Sequence, residues 1–187
     1  MKPKPSPSPL GKTLLPAAAI QKRVGELARA ITAHYRGKPL VVVALLNGSI
    51  FVLVDLLRRM PPETGVECWR VSSYEGTASQ GILRGLDQCR GDFKGRHVLL
   101  LDDILDTGLT LHAVAAHLRK LGAEKVEICV LLNKRRKRTV NVKPKWTGFG
   151  IGDEFVVGYG LDYNGHYRGL KSIRLFKASG ASAPATA

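Results

Sequence analysis

Three short apolar runs, each followed by polar or turn-forming residues, constrain the fold of this chain more than any other feature of its sequence. Leu40–Leu46 contains seven apolar residues in succession, and residues 98–101 and 126–132 are almost as uniformly apolar. Runs of this length that are rich in valine and leucine are typical of strands buried on both faces of a sheet. The sequence therefore predicts at least three buried strands.

Helical patterns separate these runs. Residues 17–35, Ile50–Leu57 and residues 109–121 are predicted helices, and Gly122 supplies a stop signal after the last of them. A further strand is predicted at residues 66–71. Strands that alternate with helices favour right-handed βαβ units, which predicts an α/β fold with a mostly parallel central sheet flanked by helices.

The two ends of the chain differ from its middle. Four prolines occur in the first nine residues, which predicts an extended tail that cannot build a core. We therefore expect a disordered Pro-rich tail over residues 1–13, one domain over residues 14–177 and a flexible tail over residues 178–187. After Lys145 the sequence becomes rich in glycine and aromatic residues, which predicts an added lobe.

The overall charge restricts the class of partner. Lysine and arginine number 29 against 15 acidic residues, a net charge of +14. Such an excess favours anionic partners, namely nucleic acid, phosphorylated small molecules or a membrane surface, without choosing among them. The three cysteines are well separated, which favours a reducing, cytoplasmic compartment. No apolar stretch approaches the length of a membrane span, and no signal peptide is predicted.

One segment of this basic chain concentrates negative charge. Residues 98–111 read V-L-L-L-D-D-I-L-D-T-G-L-T-L, with three carboxylates within five residues. Asp102 and Asp103 are predicted to lie where the apolar strand ends, the position at which parallel α/β sheets bind ligands. A lone aspartate in such a turn could simply cap the next helix, but three would repel one another unless a ligand or a metal compensates them.

The turn that follows suits the opposite charge. Gly108 allows backbone conformations closed to other residues, and the N–H groups of such a turn at a helix N-terminus form an anion cradle. Thr107 and Thr110 add hydroxyl donors. A sugar phosphate with a bound divalent metal would satisfy both the carboxylates and the cradle.

These residues carry a family resemblance. The acidic segment resembles the 5-phosphoribosyl-1-pyrophosphate (PRPP) motif of type I phosphoribosyltransferases. Residues 155–164, F-V-V-G-Y-G-L-D-Y-N, resemble the purine-binding segment of hypoxanthine–guanine phosphoribosyltransferases. L-L-N-K-R at residues 131–135 and S-S-Y at residues 72–74 also match, in the family's order and spacing, so the resemblance spans about residues 16–176.

The resemblance implies a fold and a reaction. The fold would be the type I phosphoribosyltransferase fold, with a small hood lobe built from the terminal segments. The reaction would be purine salvage, the Mg²⁺-dependent transfer of the 5-phosphoribosyl group from PRPP to hypoxanthine or guanine, giving IMP or GMP and pyrophosphate. Carboxylates near the ribose suit the positive charge that develops there. A homo-oligomer, dimer or tetramer, is implied by the same analogy.

The acidic segment takes specific roles by this resemblance. Asp102 and Asp103 would lie by the ribose hydroxyls, directly or through Mg²⁺. Asp106 would be the catalytic acid or base that exchanges a proton with the purine N7. The 5′-phosphate would be held by Asp106, Thr107, Gly108, Leu109 and Thr110.

Other matched residues would hold the pyrophosphate. Asn47 and Gly48 match a loop that contains a non-proline cis peptide before its second residue, and Asn47 stands where relatives often carry lysine or arginine. Asp162, within the purine-binding segment, would be a ligand of a second Mg²⁺, and Arg168 would hold the leaving pyrophosphate. The implied metal ligands are thus Asp102, Asp103 and Asp162.

The remaining matches concern the base and the lid. Lys134 would contact the purine 6-oxo group, since an ammonium donates hydrogen bonds and cannot accept them. Phe155 would stack on the base, and Val156 would offer backbone groups to its edge. Ser73 and Tyr74 would belong to a lid that excludes water. Taken singly, these residues would pass for core, turn or surface positions, and only their joint order supports the assignment.

A block of five consecutive cations at residues 134–138 leaves a second hypothesis open. Such a run is usually a solvated loop, but it could steer PRPP or meet nucleic acid. An RNA-binding regulator on the same scaffold is therefore the alternative, although Asp106 together with Lys134 and Phe155 favours purine catalysis. An enzyme for another base, such as xanthine, is a third hypothesis. Neither nucleic acid nor a membrane is the expected partner.

Overall fold

The computed structural model describes residues 8–73, 83–136, 138 and 140–177. Strands and helices alternate through the middle of the chain. The strands are β1 (Leu10–Leu15), β2 (Leu40–Leu46), β3 (Gly65–Arg70), β4 (Ser72–Ser73), β5 (Leu83–Arg84), β6 (His97–Leu105), β7 (Lys125–Lys134), β8 (Trp146–Ile151), β9 (Val156–Val157) and β10 (Ile173–Phe176). The helices are α1 (Ala17–His34), α2 (Ile50–Leu57) and α3 (Leu109–Lys120), with a 3₁₀ turn at Leu86–Gln88. None of the helices in these ranges is long and apolar enough to cross a membrane.

The central sheet has the predicted parallel architecture. Its strand order is β3-β2-β6-β7-β8, and every neighbouring pair is parallel. Successive side chains of β2 point to opposite faces, so Val42 belongs to the same buried cluster as Val52 of α2, whereas Val43 belongs to the cluster that contains Val114 of α3. Helices α1 and α2 therefore cover one face and α3 covers the other, which confirms the α/β fold.

A second, smaller sheet forms the predicted lobe. It contains β1, β10 and β9 in that order, with antiparallel pairing throughout. Because β1 comes from the beginning of the domain and β10 from its end, the hood lobe is built from the terminal segments.

The predicted N-terminal boundary is wrong, because β1 begins at Leu10 and not after residue 13. Leu10 lies opposite Phe176 in the hood sheet, and the guanidinium of Arg174 donates hydrogen bonds to the carbonyl oxygen of Gly11 at 3.1 and 2.8 Å. The pairing partner is more than 160 residues away in sequence, so the local proline-rich composition concealed the strand. Residues 1–7 and 178–187 lie outside the described ranges, and the predictions for them remain predictions.

The acidic segment also differs from expectation, because β6 does not end at residue 101. The strand continues to Leu105, with Asp102 opposite Val130 and Leu105 opposite Asn133 in β7. Carboxylates at its end suggested a loop, but β7 extends to Lys134 and supplies backbone partners for the extra residues. Both Asp102 and Asp103 are therefore held on a paired strand.

Candidate active site

Four segments meet at the carboxyl ends of β2, β6 and β7. They are the cis loop (residues 46–49), the phosphate loop (residues 106–110), the cationic segment that begins at Lys134, and the hood loop (residues 158–168). Ligands of open parallel sheets bind at this edge.

Asp102 and Asp103 are adjacent carboxylates whose ionisation is disfavoured by burial. The backbone N–H of Asp103 donates to Asp102 Oδ1 at 3.0 Å, and the N–H of Ile104 donates to Asp103 Oδ1 at 2.8 Å. Burial and the neighbouring charge of Asp103 raise the pKa of Asp102 well above its usual range. Burial also raises the pKa of Asp103, an effect that the Arg168 guanidinium partly opposes. A bound cation would relieve this cost.

The cis loop lies directly against this pair. The peptide bond between Leu46 and Asn47 is cis, as the resemblance implied. A Cβ on Gly48 would overlap the carboxylate of Asp103, and a Cβ on Gly160 would overlap the carbonyl oxygen of Gly48. Both glycines therefore permit a backbone approach that brings β6, the cis loop and the hood loop into contact.

The hood loop carries Asp162 and Arg168 as one bonded unit. Arg168 Nη2 lies 2.7 Å from Asp162 Oδ1, and Arg168 Nη1 donates to the carbonyl oxygen of Gly160 at 2.6 Å. The N–H of Gly160 donates in return to the carbonyl oxygen of Arg168 at 3.0 Å. The second Asp162 oxygen accepts from the N–H of Gly165 at 2.7 Å. One carboxylate and one guanidinium are thereby held beside the cis loop.

Among the residues that the structure describes, the side chains of Lys134 and Arg136 hold the carboxylate of Asp106. Lys134 Nζ donates to its Oδ2 at 3.1 Å, and Arg136 Nη1 donates to its Oδ1 at 2.8 Å. Burial alone would raise the pKa of Asp106, but the hydrogen bonds and charges of Lys134 and Arg136 outweigh it and lower that pKa below its usual range. Lys134 itself is only 6% exposed.

The phosphate loop has the shape of an anion cradle. Gly108 has φ of 85°, a left-handed conformation, and immediately precedes α3. The N–H of Leu109 donates weakly to Thr107 Oγ1 at 3.4 Å, and the N–H of His112 donates to the carbonyl oxygen of Gly108 at 2.9 Å. Helix α3 begins at Leu109 and Thr110, which places a helix N-terminus at the carboxyl edge of the sheet.

The residues predicted for the base lie in and beside β9. Phe155 is half-buried, with its ring 5.9 Å from that of Phe176, and Val156 is buried opposite Leu175. Two residues earlier, Asp153 Oδ1 lies 3.7 Å from Lys134 Nζ, which places this end of β9 next to Lys134.

The predicted lid is described only in part. Ser73 lies in β4, where it pairs with Leu83 of β5. Tyr74 lies outside the described residues, so its assignment stays a prediction.

Sequence reasoning missed two arginines of the site. Arg136 contacts Asp106 as described above, and Arg138 donates to the carbonyl oxygens of Asp106 at 3.3 Å and Lys134 at 3.0 Å, and to Asn133 Oδ1. Residues 134, 136 and 138 all contact Asp106. A run of five consecutive cations contains no signal that selects these three. Arg135, between them, lies against Gly150 instead.

The carboxylates suit a magnesium ion that is held partly by substrate. Within residues 8–73, 83–136, 138 and 140–177, no three histidine, cysteine or acidic side chains form a metal-binding cluster. Mg²⁺ usually binds through one or two carboxylates together with substrate phosphates and water. The Asp102–Asp103 pair, destabilised by its own charge, fits that requirement, as does the single carboxylate of Asp162.

Comparisons with known proteins point to one family. Residues 11–164 match the model of the phosphoribosyl transferase domain. The chain is 38% identical over 174 residues to a hypoxanthine-guanine phosphoribosyltransferase of Mycobacterium avium, covering 89% of this chain and 86% of the relative. It is 38% identical over 170 residues to one from Staphylococcus epidermidis, covering 90% and 95%. A crystal structure of a Staphylococcus aureus hypoxanthine phosphoribosyltransferase superposes with a TM-score of 0.84 at 38% identity, covering 90% of this chain and 92% of the other.

Proposed function

Because the chain belongs to the hypoxanthine-guanine phosphoribosyltransferases, enzymes of the phosphoribosyl transferase family, we propose that it transfers the 5-phosphoribosyl group of PRPP to hypoxanthine and guanine in a Mg²⁺-dependent reaction. The products are IMP or GMP and pyrophosphate. One observation carries the proposal: the Lys134 ammonium donates to the carboxylate of Asp106 at 3.1 Å, and Asp106 lies along the chain between the Asp102–Asp103 pair and the left-handed turn at Gly108.

The transfer forms one bond and breaks another at C1 of the ribose. A ring nitrogen of the purine attacks C1, and the bond from C1 to the pyrophosphate oxygen breaks. Positive charge develops on the ribose in this process, and the carboxylates of Asp102 and Asp103 lie on the strand that faces it. A Mg²⁺ ion held by this pair and a second Mg²⁺ ion held by Asp162 would neutralise the phosphate charges of PRPP.

Asp106 and Lys134 act on the base. The Asp106 carboxylate accepts the proton that leaves the purine N7, and the cations that lower its pKa keep it ionised beforehand. Lys134 donates a hydrogen bond to the 6-oxo group and so disfavours 6-amino purines. Phe155 stacks on the ring, and Val156 presents backbone groups to its edge.

The phosphates are received by backbone and guanidinium groups. N–H groups of residues 106–110 bind the 5′-phosphate at the start of α3. Arg168 binds the pyrophosphate, with Asn47 and Gly48 of the cis loop beside it. Ser73 and Tyr74 close over the reacting groups and exclude water, which would otherwise hydrolyse the activated ribose.

The same proposal covers assembly and location. By analogy with the family, the enzyme is a dimer or tetramer. Cys68, Cys89 and Cys129 are all free thiols, in agreement with a cytoplasmic location. The relatives named above are phosphoribosyltransferases, which gives no support to the RNA-binding alternative.

The test is an assay with three bases in parallel. Purified protein is incubated with PRPP, Mg²⁺ and hypoxanthine, guanine or xanthine, and released pyrophosphate and nucleotide are measured. We expect IMP and GMP to form and chelation of Mg²⁺ to stop their formation. Absence of pyrophosphate with every base would refute the proposal. Turnover of xanthine alone would show that xanthine is the substrate base and that hypoxanthine and guanine are not.

A further inference from the structure

A buried tyrosine joins the hood loop to α2. Tyr159 is 4% exposed, and its hydroxyl donates to Asp55 Oδ2 at 2.6 Å. The two residues are 104 positions apart in sequence, so this contact is made only by the fold. Tyr159 lies between Gly158 and Gly160 and has a left-handed φ of 51°, which turns its side chain away from the loop and toward the helix.

Asp55 is itself held by further donors. The same Oδ2 accepts from the side-chain amide of Gln21, and Arg59 Nη1 lies 4.0 Å from Oδ1. Arg59 Nη2 also donates to Gln21 Oε1 at 2.7 Å. The Asp55 carboxylate is therefore held by Gln21 and Arg59 independently of Tyr159, and it provides a fixed acceptor for the tyrosine hydroxyl.

Both ends of this contact lead to residues assigned to pyrophosphate. Helix α2 begins directly after the cis loop, whose Ser49 is fully buried and donates to the carbonyl oxygen of Leu45 at 2.5 Å. On the other side, Tyr159 is followed at once by Gly160, which carries the hydrogen bonds to Arg168 and lies against Gly48. The tyrosine thus connects the two loops on either side of the proposed pyrophosphate position.

We propose that Asp55 and Tyr159 are positioning residues that set the distance between the cis loop and the Asp162–Arg168 unit, and so tune the affinity for the pyrophosphate group of PRPP. The inference rests on the proposed function. Neither side chain is among those assigned to the substrates, and the Tyr159 hydroxyl already donates to Asp55. Catalysis requires such groups to be held within a fraction of an ångström, and a loosened support lowers affinity or rate without removing a ligand.

A matched pair of tyrosine variants tests the proposal. Tyr159→Phe removes only the hydroxyl. Tyr35→Phe removes a hydroxyl that donates to another carboxylate, Glu127, at 2.7 Å, at the opposite end of the sheet. The two variants lose the same kind of hydrogen bond and should lose similar amounts of thermal stability. We expect Tyr159→Phe to raise KM for PRPP about fivefold and to leave KM for hypoxanthine unchanged, and Tyr35→Phe to change neither.

A double-mutant cycle locates the effect in the pair. Asp55→Asn keeps a carbonyl acceptor and should retain most of the affinity for PRPP, whereas Asp55→Ala should reproduce the loss seen with Tyr159→Phe. The double variant Asp55→Ala/Tyr159→Phe should be no worse than either single variant. Additive losses, or equal effects of Tyr159→Phe and Tyr35→Phe on KM for PRPP, would overturn the inference.

Direct binding separates this inference from the proposed function. Calorimetric titration of the wild type, Tyr159→Phe and Tyr35→Phe with pyrophosphate and Mg²⁺ reports affinity without turnover. A protein that forms no nucleotide refutes the proposed function, and the titration still decides the positioning role. Weaker binding by Tyr159→Phe alone supports the tether, and identical binding by all three proteins refutes it, whatever the assay of turnover shows.

Discussion

At the scale of single residues, Asp106 has two conceivable uses, proton transfer to the purine and construction of the phosphate loop. Its carboxylate is bonded by Lys134 and Arg136 and its carbonyl oxygen by Arg138, so the backbone and the side chain serve different partners. A substitution that changes only the carboxylate can therefore distinguish the two uses.

Asp106→Asn should lower kcat at least about a hundredfold, the usual contribution of a positioned acid or base, and change KM for PRPP by less than about threefold. Steady-state kinetics with PRPP and hypoxanthine varied in turn measure both. The control is Asp153→Asn, which removes a carboxylate that also faces Lys134 and Arg136 but is 68% exposed; it should have little effect on either constant. Equal losses in kcat and in PRPP affinity would assign Asp106 to the phosphate loop instead.

Arg136 is the residue-scale finding that sequence patterns did not reach. Arg136→Ala should lower kcat/KM for hypoxanthine about fivefold, because the Asp106 carboxylate loses a charge-assisted hydrogen bond that orients it. The effect is modest because the Arg136 side chain is 41% exposed. Arg135→Ala removes an equal charge from the neighbouring position and should be nearly silent. Equal losses in both variants would mean that the cationic block acts only through its net charge.

The motif residues of the candidate site could be predicted from the sequence, whereas Arg136 could not. Asp102, Asp103, Asp106 and Lys134 could be predicted because two short motifs order them along the chain, and their meeting at one sheet edge follows from parallel strands. The pairing of Arg136 with Asp106 joins positions 30 apart through a loop whose path no local pattern encodes. Five consecutive cations gave no reason to select one of them.

At the scale of elements, the buried strands and helices were the predictable part. The predicted bounds of β2 and α2 are confirmed. The continuous apolar run of β2 ends clearly at the polar residues 47–49, so both boundaries could be placed from the sequence. The end of β6 and the whole of β1 were not predicted, because each depends on a partner strand and not on its own composition. β1 matters most here, since it holds the outer edge of the hood sheet.

A chain that begins at residue 16 should be less stable and bind the base more weakly. It loses the pairing of β1 with β10, the packing of Leu14 and Leu15 on the core, and the acceptor of Arg174. We expect a fall in Tm of at least about 5 °C, corresponding to roughly 2 kcal/mol for a chain of this size. KM for hypoxanthine should rise, since β10 also pairs with β9 beside Phe155.

The control for this truncation begins at residue 8 and retains every residue of β1. Its Tm, measured by calorimetry, and its kinetics should match those of the full chain. If the chain that begins at residue 16 were as stable and as active as the chain that begins at residue 8, β1 would contribute nothing measurable. The domain boundary predicted from composition would then be the better one.

At the scale of the whole molecule, the Asp102–Asp103 pair and Glu127 lie toward opposite ends of the central sheet and have opposite pKa shifts. At the carboxyl ends of the strands, burial raises the pKa values of Asp102 and Asp103, so the ligand-free site costs stability at neutral pH. At the other end, Glu127 in β7 is surrounded by donors and stabilises the fold. The buried carboxylate pair of the candidate site and the stabilising Glu127 are therefore separated along the strands.

Glu127 makes the stability of the whole domain depend on acid pH. Burial alone would raise its pKa, but hydrogen bonds from Lys145 at 2.5 Å, from Tyr35 at 2.7 Å and from Lys125 lower it from 4.5 to about 2. A carboxylate with a depressed pKa in the folded state contributes stability that is fully present above its unfolded pKa and is lost as the pH falls toward the folded value. The window for this loss therefore runs from about pH 4.5 down to about pH 2.

Glu127→Gln should accordingly be less stable than the wild type at pH 7, and the difference in free energy of unfolding should shrink as the pH falls through this window. Urea unfolding at pH 7, 5, 4 and 3 measures it. Because glutamine cannot ionise, the free energy of unfolding of the Glu127→Gln variant should vary less with pH over this range than that of the wild type. A difference that stays constant down to pH 3 would show that Glu127 acts through shape and neutral hydrogen bonds. In that case the charge of Glu127 would not be what holds Tyr35, after α1, and Lys145, before β8, against β7.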